Sequence, residues 1–347
     1  MRVPALALGA GITILHGDNA QGKTNFLEAV YFCALGRPLR ADHSRELIPM
    51  GADTAHVRAS FVSDTGAPFT VDAHIAQNGS KSVKSISIDR QPVKNTRELF
   101  GRVPIVSFAP EDLRLVKEGP ALRRKFMDIE ICQLSPVYYQ ELKDYYRALR
   151  QRNHLLKLIQ KNRAAPDYLA VWDDQLITHG SRIMRTRAAF IEKISALAAQ
   201  IHQQITQHTE TLTLTYKTQD EATFAAALQR NQRRDIALGT TATGIHRDDI
   251  QFNIQHQNAR TYASQGQTRT AVLSTKLAEI ALIQERTSTT PILLLDDVFS
   301  ELDTHRQQFL LKQVGGIQVL LTCTGVDGLL KDMNAKKLNM NNGKIKE

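Results

Sequence analysis

The chain has 347 residues, 42% hydrophobic and 23% charged, which suits one large domain plus a smaller one and argues against wholesale disorder. Lys and Arg number 44 against 35 Asp and Glu, a net charge of +9 that suits a polyanionic partner without establishing one. Cys33, Cys132 and Cys323 stand far apart, which excludes a disulfide framework and a thiolate metal site and fits a reduced, cytoplasmic protein. The eleven histidines show no paired zinc pattern, so a metal site made only of protein side chains is not expected, and no apolar run approaches the roughly 18 residues of a membrane span. Arg2 and the apolar run Val3–Leu15 have the outline of a short secretion signal, but Gly9 and Gly11 interrupt it. The run also leads into a loop that needs it as a strand.

In chain order, Ala5–Leu8 and Ile12–Leu15 read as short strands around Gly9-Ala10-Gly11. A helix is expected from Thr24 to about Leu35, ended by Gly36. Val57, Ala59 and Phe61 alternate, as do Phe69, Val71, Ala73 and Ile75, and the run Val83–Ile88 follows. With Asp64-Thr65-Gly66 and Asn78-Gly79 between them, these predict antiparallel hairpins. After Pro136 the period becomes helical: Leu142, Tyr145 and Leu149, then Leu155, Leu156 and Ile159. A second long helix carries Leu176, Ile183, Phe190, Ile194, Leu197, Ile201 and Ile205, spaced as in a helix packed along its length. Joined by the turn Asn162–Asp167, the two make a helical hairpin, which fits an ordinary subdomain and a projecting arm equally.

Strands return at Leu212–Tyr216 and Ile250–Ile254, followed by a helix from about Thr268 to Gln284. Ile292–Leu295 and Val319–Leu321 are unbroken apolar strands, the pattern of a parallel sheet covered on both faces. The expected organisation is one α/β domain built from residues 1–130 and 207–347, with a helical arm, 131–206, inserted between them.

Gly17-Asp18-Asn19-Ala20-Gln21-Gly22-Lys23-Thr24 matches the phosphate-loop pattern G-x-x-x-x-G-K-[ST]. Glycines at the bends turn backbone N–H groups toward a phosphate, and the helix that follows adds its positive end. Lys23 is placed to reach the β- and γ-phosphates of ATP, and the Thr24 hydroxyl to ligate Mg²⁺. Asn25, next on the helix, is counted with the site. Ile292–Leu295 ends in two acids. Asp296 is expected to hold Mg²⁺ directly or through water, and Asp297 to orient and polarise the attacking water.

Ser264-Gln265-Gly266-Gln267, just before a helix, resembles the signature of ABC ATPases. Four such residues arise easily by chance. Their order is more telling: signature, helix, strand, two acids, then Ser300-Glu301-Leu302-Asp303. That resemblance implies an ABC/SMC-type ATPase head in which the signature grips the γ-phosphate bound to the opposite subunit. Two ATP molecules are then sandwiched in a homodimer, with Ser300 and Asp303 in the loop joining the two sites.

Asn19–Glu28, Ala34–Arg37, Phe108–Leu113, Arg123–Asp128, Gly244–Asp249 and Ser264–Gln267 are together similar to the RecF family. Membership implies an SMC-like head with an antiparallel β-subdomain and a helical arm, and ATP-dependent dimerisation on gapped or junction DNA. It further implies cooperation with RecR and RecO in loading RecA, and release by slow hydrolysis. The resemblance implies an additional first strand ahead of Ala5, which is here either absent or reduced to Met1–Pro4, unless the start is misassigned. Ala20 replaces the usual Gly, and Ile245 the usual Pro of Gly-Pro-His-Arg-Asp-Asp; Asp297 replaces the Glu of transporter ATPases, as is usual in the family. Glu111 and Asp112 are alternative magnesium-sensing residues, a helix cap explaining Asp112 as well, and Thr322 or Thr324 could contact the γ-phosphate.

Arg114 to Arg163 holds 12 Lys and Arg against five acids. Arg123, Arg124, Lys125, Arg147, Arg150 and Arg152 are the candidate DNA-phosphate contacts, although a solvated helix face would look the same. No base-reading motif is present, so binding should be independent of sequence. Two other readings share the nucleotide site: the ATPase subunit of a membrane transporter, and a nucleotide-binding scaffold with little turnover.

Overall fold

Apolar β-branched and leucine residues build strand β1 (Ile12–His16), which leads through the phosphate loop into helix α1 (Lys23–Leu35). The computed structural model describes residues 6–40, 43–63, 66–79, 81–219 and 221–346. Gly36 ends α1 in the left-handed conformation, φ 65°, with its N–H donating to Phe32 O, as its position after the last periodic residue predicts. Leu6–Leu8, expected to be a strand, has no regular structure. No described strand pairs with it; the Ala7 carbonyl accepts instead from the Lys336 ammonium. Ala5, Asp64 and Thr65 of the sequence reading, and Met1–Pro4 ahead of it, lie outside the described residues.

Strands β2 (Thr54–Val62), β3 (Pro68–Asn78), β4 (Lys81–Ile88) and β5 (Gln91–Pro92) form the expected antiparallel sheet, in that order. β6 (Ile105–Phe108) follows. The middle of the chain holds α2 (Arg114–Lys117), α3 (Pro120–Leu134) and the long pair α4 (Pro136–Gln160) and α5 (Ala170–Ile205). Then come β7 (Leu212–Lys217), α6 (Glu221–Leu238), β8 (Asp249–Ile254), β9 (Gln257–Asn258), α7 (Ala259–Tyr262) and α8 (Gln265–Thr287). β10 (Ile292–Asp296), α9 (Thr304–Gln313), β11 (Val319–Cys323), β12 (Lys336–Asn341) and β13 (Lys344–Lys346) complete it. Contacts divide the chain into two compact units, Met1–Asp112 with Glu279–Glu347, and Leu113–Ala278.

The first unit is built on a six-stranded sheet in the order β13-β12-β1-β11-β10-β6. All its neighbours run parallel except β12 and β13. Ile14, Leu15, Leu293–Leu295 and Val319–Leu321 are buried throughout, the reason their runs are continuously apolar rather than alternating. Phe32 and Cys33 of α1 pack instead with Val71, Ala73, Ile75, Ile86 and Ile88 of the antiparallel sheet. One helix therefore carries the end of the phosphate loop and anchors both sheets of this unit.

In the second unit α4 and α5 form the expected hairpin, and its interior is polar at two places. Arg187 of α5 is fully buried and donates to Tyr138 Oη (2.9 Å), Ile245 O (2.8 Å), Asp248 Oδ2 (2.7 Å) and Asp128 Oδ1 (2.8 Å). Tyr216 and Thr218 donate to the same Asp248 carboxylate. The segment Gly244–Asp249 thus acts as a clasp on the hairpin: Asp249 pairs with Arg123 of α3, and His246 with Tyr145 of α4. Removing one partner from a buried, paired charge leaves the others uncompensated at about 3–5 kcal/mol. Arg187→Ala is accordingly expected to destabilise the second unit by about that amount, read as a lowered urea midpoint for loss of helical signal.

Candidate nucleotide site

The phosphate loop has the backbone that its spacing predicts. Gly17 sits at φ 145° and Gly22 at φ 98°, both inaccessible to most side chains. A Cβ on Gly17 would run into Met340 O of β12, so the loop is seated directly on that strand. Its tip is held by the turn between β12 and β13: Asn342 N donates to Gln21 Oε1 at 2.6 Å, and Gly343 N to Gln21 O at 3.0 Å. Asp18, Asn19, Ala20 and, on the first turn of α1, Asn25 are exposed along it. Lys23 is buried, and its ammonium donates to Gly17 O (2.6 Å) and Asp18 O (2.9 Å) within the loop.

Tertiary folding joins this loop to the acids of β10. Thr24 Oγ1 donates to Asp296 Oδ1 at 3.0 Å, and Thr322, at the end of β11, donates to the same oxygen at 2.6 Å. Thr322 also accepts from Asp297 N at 3.0 Å. Its buried hydroxyl therefore fixes both acids relative to the loop; Thr324, the other candidate, is exposed. Asp296 is only 2% exposed. Its Oδ2 lies 2.7 Å from Arg40 Nη2 yet accepts no aligned hydrogen bond. A hydroxyl and a buried carboxylate with acceptor capacity left over are the hard oxygen donors that Mg²⁺ takes, so Thr24 and Asp296 fit that ion.

Asp297 follows at φ 55°, a left-handed conformation that aspartate tolerates better than most residues. Ser300 donates to its carbonyl at 2.8 Å. Burial pushes the Asp297 carboxyl above the usual carboxylate range, with Lys23 opposing the shift and the Asp296 charge adding to it. Asp303 caps α9, accepting from Arg306 N at 2.9 Å.

Sequence reasoning missed Arg40 and what holds it. Glu28 of α1, buried and shifted upward by that burial, accepts from Leu39 N (2.6 Å) and Arg40 N (3.3 Å). This pins the chain so that the Arg40 guanidinium bridges Asp296 and Glu111, the latter at 3.0 Å. Of the two acids after β6, Glu111 is thus the one joined to the site, while Asp112 accepts from Ala109 N as a local cap. A carboxylate held by an arginine twelve residues or more away carries no sequence signal.

The signature lies in the second unit. Ser264 Oγ accepts from Gln267 N (3.1 Å), Ser264 N donates to Gln267 Oε1 (3.0 Å), and Gln267 is held in turn by Glu210. Ser264–Gln267 is thus a reciprocal cap on α8, the helix starting at Gln265, three residues earlier than expected. The serine hydroxyl accepts in this cap, which leaves its own hydrogen for an anion.

Two of the six DNA candidates are corrected. Arg152 is 0% exposed and Arg123 is 3% exposed. Arg152 donates to Asp173 and Asp235, and Arg123 makes a two-pronged pair with Asp249. Neither presents its charge to a polyanion. Arg147 and Arg150 are exposed on α4, Arg147 beside Asp144. Arg124 and Lys125 are half-buried, Arg124 donating to Asp248 O.

A phosphate loop between a parallel strand and a helix, completed by acids at the end of β10, one strand removed from β1 across β11, with an antiparallel β-subdomain and a helical hairpin, defines an ABC/SMC-type P-loop ATPase head. No family model matches the chain. The DNA replication and repair protein RecF of Lachnoclostridium phytofermentans is 44% identical, with 93% of this chain and 89% of the relative covered. That of Agathobacter rectalis is 42% identical over 92% and 87%, and one from Clostridium botulinum 37% over 98% and 94%. The chain belongs to the RecF family. Two solved structures of the recombination mediator protein RecF, with ATP and with ATPrS, match at TM-scores of 0.90 and 0.89. They are 30% and 31% identical, and each comparison covers 98% of this chain and 92% of the other. An Smc head bound to the winged-helix domain of ScpA, 12% identical at TM-score 0.54, shares the fold.

Ala20 stands in the left-handed region at φ 63°. That conformation costs an alanine about 1–2 kcal/mol, against about 0.5–1 kcal/mol for the extra chain entropy of glycine. Ala20→Gly is therefore expected to stabilise the protein by about 0.5 kcal/mol, seen as a small rise in thermal midpoint.

Proposed function

We propose that this protein is an ATP-dependent DNA-binding protein of replication and recombinational repair, which closes as a dimer around two ATP molecules and opens on hydrolysis. The observation that carries this reading is the link from Thr24 to Asp296, 3.0 Å, which joins the phosphate loop to the paired acids after β10's apolar run. The RecF names of the relatives and the ATP in the solved RecF structures support it. RecR and RecO as partners, RecA loading, gapped DNA and a cytoplasmic setting come from the family resemblance.

In this reading ATP draws the Lys23 ammonium from Gly17 O and Asp18 O onto its β- and γ-phosphates. Mg²⁺ held by Thr24 and Asp296 would neutralise phosphate charge. Asp297 accepts a proton from the water that attacks the γ-phosphorus, and ADP leaves with the bonding electrons. Its elevated affinity for protons suits a base working nearer neutrality. Thr322 keeps Asp296 and Asp297 in register. Ser264 and the first N–H groups of α8 complete the γ-phosphate contacts on the nucleotide of the partner subunit.

ATP turnover with and without gapped duplex DNA, and sedimentation with ATP, test this. Lys23→Ala should lose ATP binding and dimerisation together. Asp297→Asn keeps a residue tolerant of positive φ, so turnover should fall by about 100-fold or more while the ATP dimer persists on DNA. If Asp297→Asn leaves dimer lifetime and DNA residence as in the wild type, the two-site reading fails. Because the Asp297 pKa is raised, wild-type turnover should decline with falling pH sooner than an ordinary aspartate base allows; Asp297→Asn should lack that limb.

Among the exposed cations, Arg147 and Arg150 are the clearest candidates for sequence-independent phosphate contacts. Each contact released should reduce the slope of log K against log salt by about 1. The double change Arg147→Ala with Arg150→Ala is expected to flatten it by about 2, measured by fluorescence anisotropy across a salt series. An unchanged slope would remove α4 from the DNA surface.

A further inference from the structure

The antiparallel sheet of the first unit carries a set of ligating side chains that the nucleotide site does not use. His56 of β2 and His74 of β3 are direct cross-strand partners. Their rings stack with centroids 4.0 Å apart and planes 18° from parallel. Asp72 lies two residues before His74, so the strand period puts it on the same face. Its Oδ1 is 3.1 Å from His56 Nε2. One ligand atom from each of the three lies within 4.8 Å of the others, and among the described residues no other such group of His, Cys, Asp and Glu occurs.

We propose that His56, Asp72 and His74 bind a divalent transition-metal ion of the zinc class. Two imidazoles and one carboxylate form a donor set that suits Zn²⁺, Co²⁺ or Ni²⁺. It holds too few oxygens for Ca²⁺ and the wrong donors for Mg²⁺. Three protein ligands leave further positions to water. The donors sit in the middle of two paired strands rather than on a loop, so their spacing is fixed by sheet register. The rings are exposed and open to an entering ion, whereas Asp72 is buried.

Arg58, the cross-strand partner of Asp72, is the competitor. Its Nε donates to Asp72 Oδ1 at 2.7 Å, while most of its side chain is in solvent. That hydrogen bond, with help from His56, holds the Asp72 carboxyl below the usual carboxylate range. A bound metal must share this oxygen with Arg58 or displace it to water. A metal site and a plain ion pair therefore respond oppositely to loss of the arginine: the first gains a ligand, the second only loses a contact.

The test is titration of the full chain with Zn²⁺ by calorimetry and with Co²⁺ by visible absorption. His56→Ala and His74→Ala should each weaken binding at least about tenfold. Arg58→Gln should strengthen it, and Asp296→Asn should leave it unchanged, which separates this site from the nucleotide site. The two histidines are exposed, so folding is expected to survive both changes, checked by circular dichroism. Zn²⁺ affinity that is the same in both histidine variants, or that falls in Arg58→Gln, overturns the proposal.

Discussion

The Asp296 carboxylate is the point on which the nucleotide site depends. A charge that is 2% exposed is costly unless neighbours satisfy it, and here Thr24, Thr322 and Arg40 surround it. Those residues come from α1, from the end of β11 and from the chain after α1. Meeting at one carboxylate requires β1, β11 and β10 to be adjacent and parallel, in register, with the loop on the end of β1. The central sheet order and the site geometry are thus one constraint seen at two scales.

A similar use of buried charge organises the second unit. Arg187 and Arg152 are fully enclosed and each is matched by two carboxylates. Such pairs are weak evidence for stability, because desolvation offsets much of the attraction. What they contribute is position, since a guanidinium fork accepts carboxylates only in a fixed geometry. The Gly244–Asp249 segment, which first stood out only as a resemblance, has a physical role here. Gly244, at φ 128° with Tyr145 Oη against it, lets His246, Asp248 and Asp249 reach three different elements.

Legibility followed the range of the signal. The phosphate loop, α1 with its Gly36 stop, the alternating hairpins β2–β4, the α4–α5 hairpin and the apolar strands β10 and β11 were all visible, each being a local pattern of period or turn. β12 was not, because only Leu338 and Met340 of its six residues are buried. α6 was also missed: its eighteen residues bury just Phe224, Ala227, Leu228 and Asp235. Charge misled in the basic stretch, where Arg123 and Arg152 read as surface cations by composition. Arginine carries the same letter whether it faces water or a buried aspartate.

The sequence by itself determined the chemistry available: a loop that exposes backbone N–H groups, a lysine and a hydroxyl at its end, and two acids closing an apolar strand. These follow from covalent order and backbone preference, which act over a few residues. Only the tertiary structure decided that Thr322 ties the two acids together, that Glu28 delivers Arg40 to them, and that the β12–β13 turn supports Gln21. It also decided which arginines remain in solvent. Each of these depends on residues brought together by burial and strand pairing across long stretches of chain, where the cost of desolvating a polar group, not the local pattern, selects its partner.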